Sequence, residues 1–255
     1  MDLNKKVINW LDGQGFSLEM KAASEFRKAG FFVRQSSHYL DIETGKSREI
    51  DVLASDWDIT SNIQTDFVIE CKSSKKPWVL LTSPYTIDVY NRFYAFGVLT
   101  EKALEVVVNR TEEFIDRFHW MEKLHVGYSF RQVFGNNQDI AFSAAINVAK
   151  ACEYQVRPPD HKYPAIFGLA FPIIVVDTKL FQCSLQADGE MLLEETMMGE
   201  FLFVTKSPKN FGTCIRVVTL KHLPQFVFEA KRVAEEFREA FRSEDKKLQD
   251  SRREQ

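Results

Sequence analysis

Apolar residues first recur at helical spacing. Val7, Ile8, Trp10 and Leu11 predict a short opening helix ended by Gly13 and Gly15, and Leu18, Ala22, Phe26 and Ala29 predict a second. Ser17 suits the N-cap of that second helix and Gly30 its stop. From Phe31 the period shortens. FFVRQSSHYLD reads as a strand, Glu43 to Lys46 as a turn, and Arg48 to Ala54 as a second strand. After a polar loop that includes Asp56 to Asn62, Asp66 to Cys71 reads as a third strand. The resulting order is helix, strand, strand, strand.

Further along, KSSKKPW interrupts the pattern, a mostly helical stretch follows from about Tyr85 to Val108, and TEEFIDRFHWMEKLH is polar and aromatic. A helix is predicted from Asp139 to Glu153, with Ala141, Ala144, Ala145, Val148 and Cys152 along one side and Arg157 to Asp160 ending it. The almost wholly apolar run Ala165 to Val176 reads as a strand buried on both faces with a parallel neighbour, which makes the sheet mixed. Leu180 to Leu185, Phe201 to Lys206 and Cys214 to Leu220 read as further strands, with a turn at Ala187 to Gly189. An amphipathic helix starts near Pro224. The last thirteen residues balance four positive against four negative charges with almost nothing apolar, which predicts a disordered tail over 243–255.

No repeat and no Gly-, Ser- or Pro-rich linker divides the 255 residues, so one domain over 1–242 is expected. A hydrophobic share of 45%, with 22 Phe, is ample for a core, while 11 Gly and 8 Pro argue against low complexity. A net charge of −3 lacks the basic signature of an architectural nucleic-acid binder, so any contact with nucleic acid must be local. Cys71, Cys152, Cys183 and Cys214 are too far apart for a zinc motif and are expected as reduced thiols. With no secretory or membrane-spanning apolar run, the expected location is cytoplasmic. The histidines, at positions 38, 119, 125, 161 and 222, are scattered and suggest no site.

Chemistry concentrates where two predicted strands end in REIDVLA and FVIECK. Residues two apart in a strand share a face, so Glu70 and Lys72 project together while Cys71 points away, and pairing of the strands would bring Asp51 to them. Apolar neighbours draw these acids toward the core, where an unpaired carboxylate is costly without a cation. Asp51 and Glu70 are hard oxygen ligands suited to Mg²⁺ or Mn²⁺, the backbone carbonyl of Cys71 offers a third oxygen, and Lys72 can stabilise the pentavalent transition state and help orient or deprotonate the water.

This order resembles the PD-(D/E)XK nuclease superfamily, in particular its Holliday-junction-resolvase-like and type IV restriction-like branches. The features that carry the resemblance are an acidic helix, I-D-V-L-A after a polar turn and, 19 positions beyond the Asp, E-C-K. It covers residues 16 to 80. It implies an α/β chain with a restriction-endonuclease-like core, α-β-β-β-α-β, around a central mixed sheet, elaborated by C-terminal strands and a C-terminal helix over 110–242. It also implies a metal-dependent nuclease with Asp51, Glu70 and Lys72 as its triad. Family members place a Glu early in the first helix, and Glu19 matches that place better than Glu25 does. The loop after E-C-K is similar to a basic loop of stand-alone members: Lys75 and Lys76 would hold phosphates and Trp78 would pack a sugar or base, with Arg48 a further contact.

The same residues have plainer explanations. Asp51 could pair with Arg48 or a loop amide, Glu70 and Lys72 could be a solvated edge-strand pair, Glu19 could simply favour a helix N-terminus, and Lys75 with Lys76 could be an ordinary solvated loop. The aromatic stretch Tyr85 to Phe96 could stack bases or lie in the core. The leading expectation is a Mg²⁺-dependent endonuclease acting on nucleic acid, DNA in preference, in restriction, repair or defence. The alternative is a module that keeps this fold for protein or nucleic-acid binding without cleavage. A homodimer would suit cutting both strands of a duplex, and the strands from Ile173 to Leu220 could dock a partner.

Overall fold

The computed structural model describes residues 2–58, 60–86, 96–118, 120, 126–135, 139–157, 166–205 and 211–253. The chain opens with α1 (Leu3–Gln14) and α2 (Phe16–Lys28), then β1 (Phe32–Asp41), β2 (Lys46–Trp57) and β3 (Ile63–Lys72). β4 (Trp78–Ser83), β5 (Val98–Leu99), α3 (Glu101–Asn109), α4 (Thr111–Arg117) and β6 (Val126–Gln132) form an insertion before α5 (Ile140–Val156) and β7 (Phe167–Val176). β8 (Leu180–Leu185), β9 (Met191–Thr196), β10 (Met198–Thr205), β11 (Phe211–Thr219) and α6 (Leu223–Arg253) complete it.

The strands form one mixed sheet in the order β1-β2-β3-β7-β11-β10-β6-β4-β8-β9, with β5 pairing the N-terminal half of β7. Its spine is β7, every residue of which is buried, as the apolar run predicts. β3 lies parallel to it through ten pairs, Ile63 with Phe167 to Lys72 with Val176, and β11 lies parallel on its other side from Arg216 with Ile173 to Thr219 with Val176. Side chains alternate across this layer. Ile173 and Val175 face a core shared with α2, α3, α4 and α6, whereas Ile174 and Val176 face a core built on α5. The predicted α5 face is buried as expected, and the Asp139 side chain caps the helix by accepting the Phe142 N–H at 2.9 Å.

Several boundaries differ from the sequence pattern. Ser17 lies inside α2, not at its N-cap: Gly15, at φ 90°, closes α1 and opens α2 in one residue. Asp56 and the residues flanking the supposed polar loop extend β2 and β3, because burial of Asp56 is met by Lys231 at 3.3 Å and by Arg238 on α6. β4 and β6 hid in segments with no clean alternation, and β9 is an almost wholly exposed edge strand with no apolar face to detect. Residues 87–95 of the aromatic stretch, together with His119, His125 and His161, lie outside the described residues. Among the described residues no helix is long and apolar enough to cross a membrane.

The largest correction concerns the charged tail. Residues 243–253 continue α6, whose buried stripe of Phe226, Ala230, Val233, Phe237 and Phe241 gives way to a polar clasp. Buried Asp245 accepts hydrogen bonds from Ser61 Oγ (3.1 Å), the Asn62 backbone N–H (3.1 Å), Asn62 Nδ2 (2.7 Å) and Gln249 Nε2 (3.0 Å), while Gln249 donates to the Thr60 carbonyl at 2.8 Å. Charge balance along the tail conceals this contact, because nothing in the composition distinguishes Asp245, which is used internally, from the acids beside it. Asp245→Ala leaves several donors of the β2–β3 turn unmatched and should cost about 2–3 kcal/mol. Urea unfolding of the two proteins measures this, and a difference below about 0.5 kcal/mol, the usual range for an ordinary surface change, would rule the clasp out.

Candidate functional site

The first acid sits where the β1–β2 hairpin rolls over. Pairing runs from Phe32 with Ser55 to Gln35 with Val52 and resumes at Ser37 with Ile50, skipping Ser36 and Asp51. Ser36 has φ 49°, a left-handed conformation that is uncommon for a residue with a β-carbon. Across this point the buried face changes. Val52 and Ala54 pack in the α2-side core, but Ile50, of the same parity, packs in the α5-side core. Asp51 therefore escapes strict alternation, and its Oδ2 accepts the Cys71 backbone N–H at 2.7 Å, just past the last β2–β3 pair at Val52 with Ile69. This bond fixes its carboxylate against the end of β3 and leaves Oδ1 without a hydrogen bond among the described residues.

Glu70 and Lys72 share a face of β3, as the two-residue period requires, and form an ion pair with side chains 9% and 26% exposed. Burial is the main influence on Glu70 and pushes its pKa up. Lys72 opposes that, Asp51 adds to it, and the outcome is about 7. The Asn147 side chain, on α5, approaches closely enough to favour the charged form. Burial alone would lower the Lys72 pKa, but Glu70 and Asp51 more than offset it and raise it, so the ammonium stays charged. Glu19, in the first turn of α2, belongs to the same group. Burial and then the charges of Asp51 and Glu49 raise its pKa to about 7, with Lys72 acting the other way. The four residues singled out in the sequence are thus one electrostatic unit.

Two members were missed. Asn147 sits on a helix 75 or more residues beyond the acids, so only tertiary structure brings it to Glu70. Glu49 was visible in R-E-I-D as a second acid on the parity of Asp51, a spacing that strand geometry makes a neighbour.

The basic residues divide. Lys75 is exposed and Lys76 half-buried, in a loop that Asp177 holds by accepting Ser73 Oγ (2.5 Å) and the Ser74 N–H (3.0 Å). Arg48 donates from Nε to buried Asp41 at 2.7 Å, and Lys150 bonds the same carboxylate, so the guanidinium helps tie the β1–β2 turn to α5. Trp78 does not reach any surface. It is fully buried, stacked on Phe130 with ring centroids 4.9 Å apart, because β4 runs inside the sheet between β6 and β8. Packing of Trp78 against a sugar or base is corrected accordingly: the ring is core.

No family model matches the chain, and no curated protein or solved structure matches it significantly. Among the described residues no three His, Cys, Asp or Glu side chains form a ready-made metal cage. A set of two carboxylates and one backbone carbonyl is a different case. Asp51, Glu70 and the Cys71 carbonyl offer oxygen donors alone, the preference of a hard divalent cation. Burial first and neighbouring carboxylates second raise both glutamates to about 7, and a bound cation would favour their charged forms. In this respect the residues fit Mg²⁺ or Mn²⁺.

The raised Glu19 pKa has a stability consequence. Its ordinary value is 4.5 and its folded value about 7, so the folded state binds the proton more tightly. Its contribution is fully present below 4.5 and lost as pH rises through 7. Glu19→Gln removes that loss. The variant should match the wild type below pH 4.5 and become progressively more stable than it up to pH 7 and above. Denaturant midpoints across this range check it, and a variant less stable than the wild type above pH 7 would contradict the assignment.

Proposed function

We propose that this chain is a metal-dependent phosphodiesterase that cleaves nucleic acid, DNA in preference, with a PD-(D/E)XK type of centre. The observation that supports it most is the meeting of Asp51, midway along β2, with the Glu70–Lys72 pair at the end of β3, where Glu70 is buried beside a second carboxylate. The order α2, β1, β2, β3, α5, β7, with β3 parallel to β7, is also the order expected of a restriction-endonuclease-like core.

On this reading Asp51, Glu70 and the Cys71 carbonyl hold Mg²⁺ or Mn²⁺. The ion, when bound, supplies neutralisation of the phosphate and a more acidic water. Lys72, kept protonated by its neighbours, stabilises negative charge building on the phosphoryl oxygens and is a poor proton acceptor. Glu19, with a pKa of about 7, suits the removal of a proton from the attacking water near neutral pH. Asn147 bonds the Glu70 carboxylate and favours its charged form, against the larger effect of burial.

The test is incubation of the purified chain with linear, circular, single-stranded and branched DNA and with RNA, in Mg²⁺ or Mn²⁺. Lys72→Ala and Asp51→Ala should each lower cleavage by at least about 100-fold while thermal melting shows a folded protein. Asp51→Ala should also abolish the upward shift in melting temperature that Mn²⁺ gives the wild type. Cleavage equal in wild type and variants would assign the activity elsewhere. Binding without turnover by the wild type would favour a non-cleaving recognition module.

A further inference from the structure

Lys72, Val176 and Thr219 stand level across three neighbouring parallel strands, since Lys72 pairs with Val176 and Val176 with Thr219. The chain leaves the sheet at the carboxyl end of each strand, and each exit carries an exposed lysine: Lys75 three residues beyond Lys72, Lys179 three beyond Val176, and Lys221 two beyond Thr219. The three line a single groove of about 560 Å³ together with Ser74, Asp177 and Glu195. Crevices outside the carboxyl ends of parallel strands are where sheets of this kind take ligands. This one starts at Ser74, two residues beyond Lys72 of the candidate centre.

We infer that this groove is a binding track for the phosphodiester backbone of a nucleic-acid strand, with Lys75, Lys179 and Lys221 as its phosphate contacts. The inference rests on the phosphodiesterase reading of the adjoining centre and extends it to the strand beyond the scissile bond. The layout argues for a polymer. Lys75, Lys179 and Lys221 come to one groove from three separate loops, after β3, before β8 and after β11, and a groove of about 560 Å³ has room for more than one phosphate.

The two acids on the groove, Asp177 and Glu195, offset its three lysines only in part. Asp177 accepts from the neutral Ser73 and Ser74 groups and keeps its charge. Glu195 pairs with Lys179 at 2.7 Å, with the two side chains 45% and 66% exposed, a solvated contact that a phosphate can replace. Lys75 and Lys221 have no ion pair among the described residues. With a whole-chain charge of −3, affinity for a polyanion needs a local cluster of this kind.

The test is fluorescence anisotropy of a fluorescein-labelled single-stranded oligodeoxynucleotide in EDTA, where hydrolysis plays no part. The full-length wild type is compared with Lys179→Gln/Lys221→Gln and with the charge-matched control Lys28→Gln/Lys102→Gln, whose residues lie on α2 and α3, off the groove. The groove variant should bind about tenfold more weakly at low salt, and the slope of log affinity against log salt should shallow by about 1.4, about 0.7 for each lost lysine. The control should stay near the wild type, and all three should melt alike. Equal affinity and slope in wild type and groove variant, equal weakening by the control, or no binding by the wild type would each overturn the track. The reading of the centre fails separately: groove-dependent binding in EDTA together with no cleavage in Mg²⁺ would retain the track and remove the phosphodiesterase.

Discussion

The ten-pair parallel ladder between β3 and β7 governs what the rest of the molecule can do. Both strands are buried along almost their whole length, so their backbone groups can be satisfied only by each other and by their flanking strands. A slip of one residue would exchange the side chains of the two cores, and the register is therefore fixed by packing on both faces. Once it is fixed, Glu70 and Lys72 have a set height, Asp51 is brought to them by the next ladder, and the exits of β3, β7 and β11 lie side by side.

Against that rigid frame stands a local accumulation of acids that packing alone would not choose. Glu19, Glu49, Asp51 and Glu70 come from two strands and a helix, and one ammonium, Lys72, answers them. Asp41 is matched instead: it meets Lys150 and Arg48 and has its pKa lowered to about 2, even though burial acts to raise it. The contrast between a matched acid and an unmatched cluster in one protein is a physical reason to regard the cluster as functional. It is also where the backbone departs from regularity, at Ser36.

Much of this was legible in the chain. Periodicity located α2, α5, the first three strands and the buried spine, and strand parity put Glu70 beside Lys72. What was not legible had physical causes. Trp78 looked like a surface aromatic because it follows a basic loop, yet it begins a strand whose partners, β6 and β8, are distant in sequence. The tail looked disordered because its charges balance, and the acid that anchors it bonds a turn 183 and 184 residues away. Ser17 was a reasonable cap until Gly15, with its positive φ, served both helices. The rollover at Ser36 has no signature in composition.

The clasp between α6 and the β2–β3 turn bears on the order in which the molecule is made. Thr60, Ser61 and Asn62 leave the ribosome first, and Asp245 and Gln249 follow only after some 180 further residues have been synthesised. At ordinary translation rates of about 5–20 residues per second, the hairpin that bears Asp51 waits many seconds for its final restraint. A nascent chain thus holds every acid of the cluster well before it can hold them still.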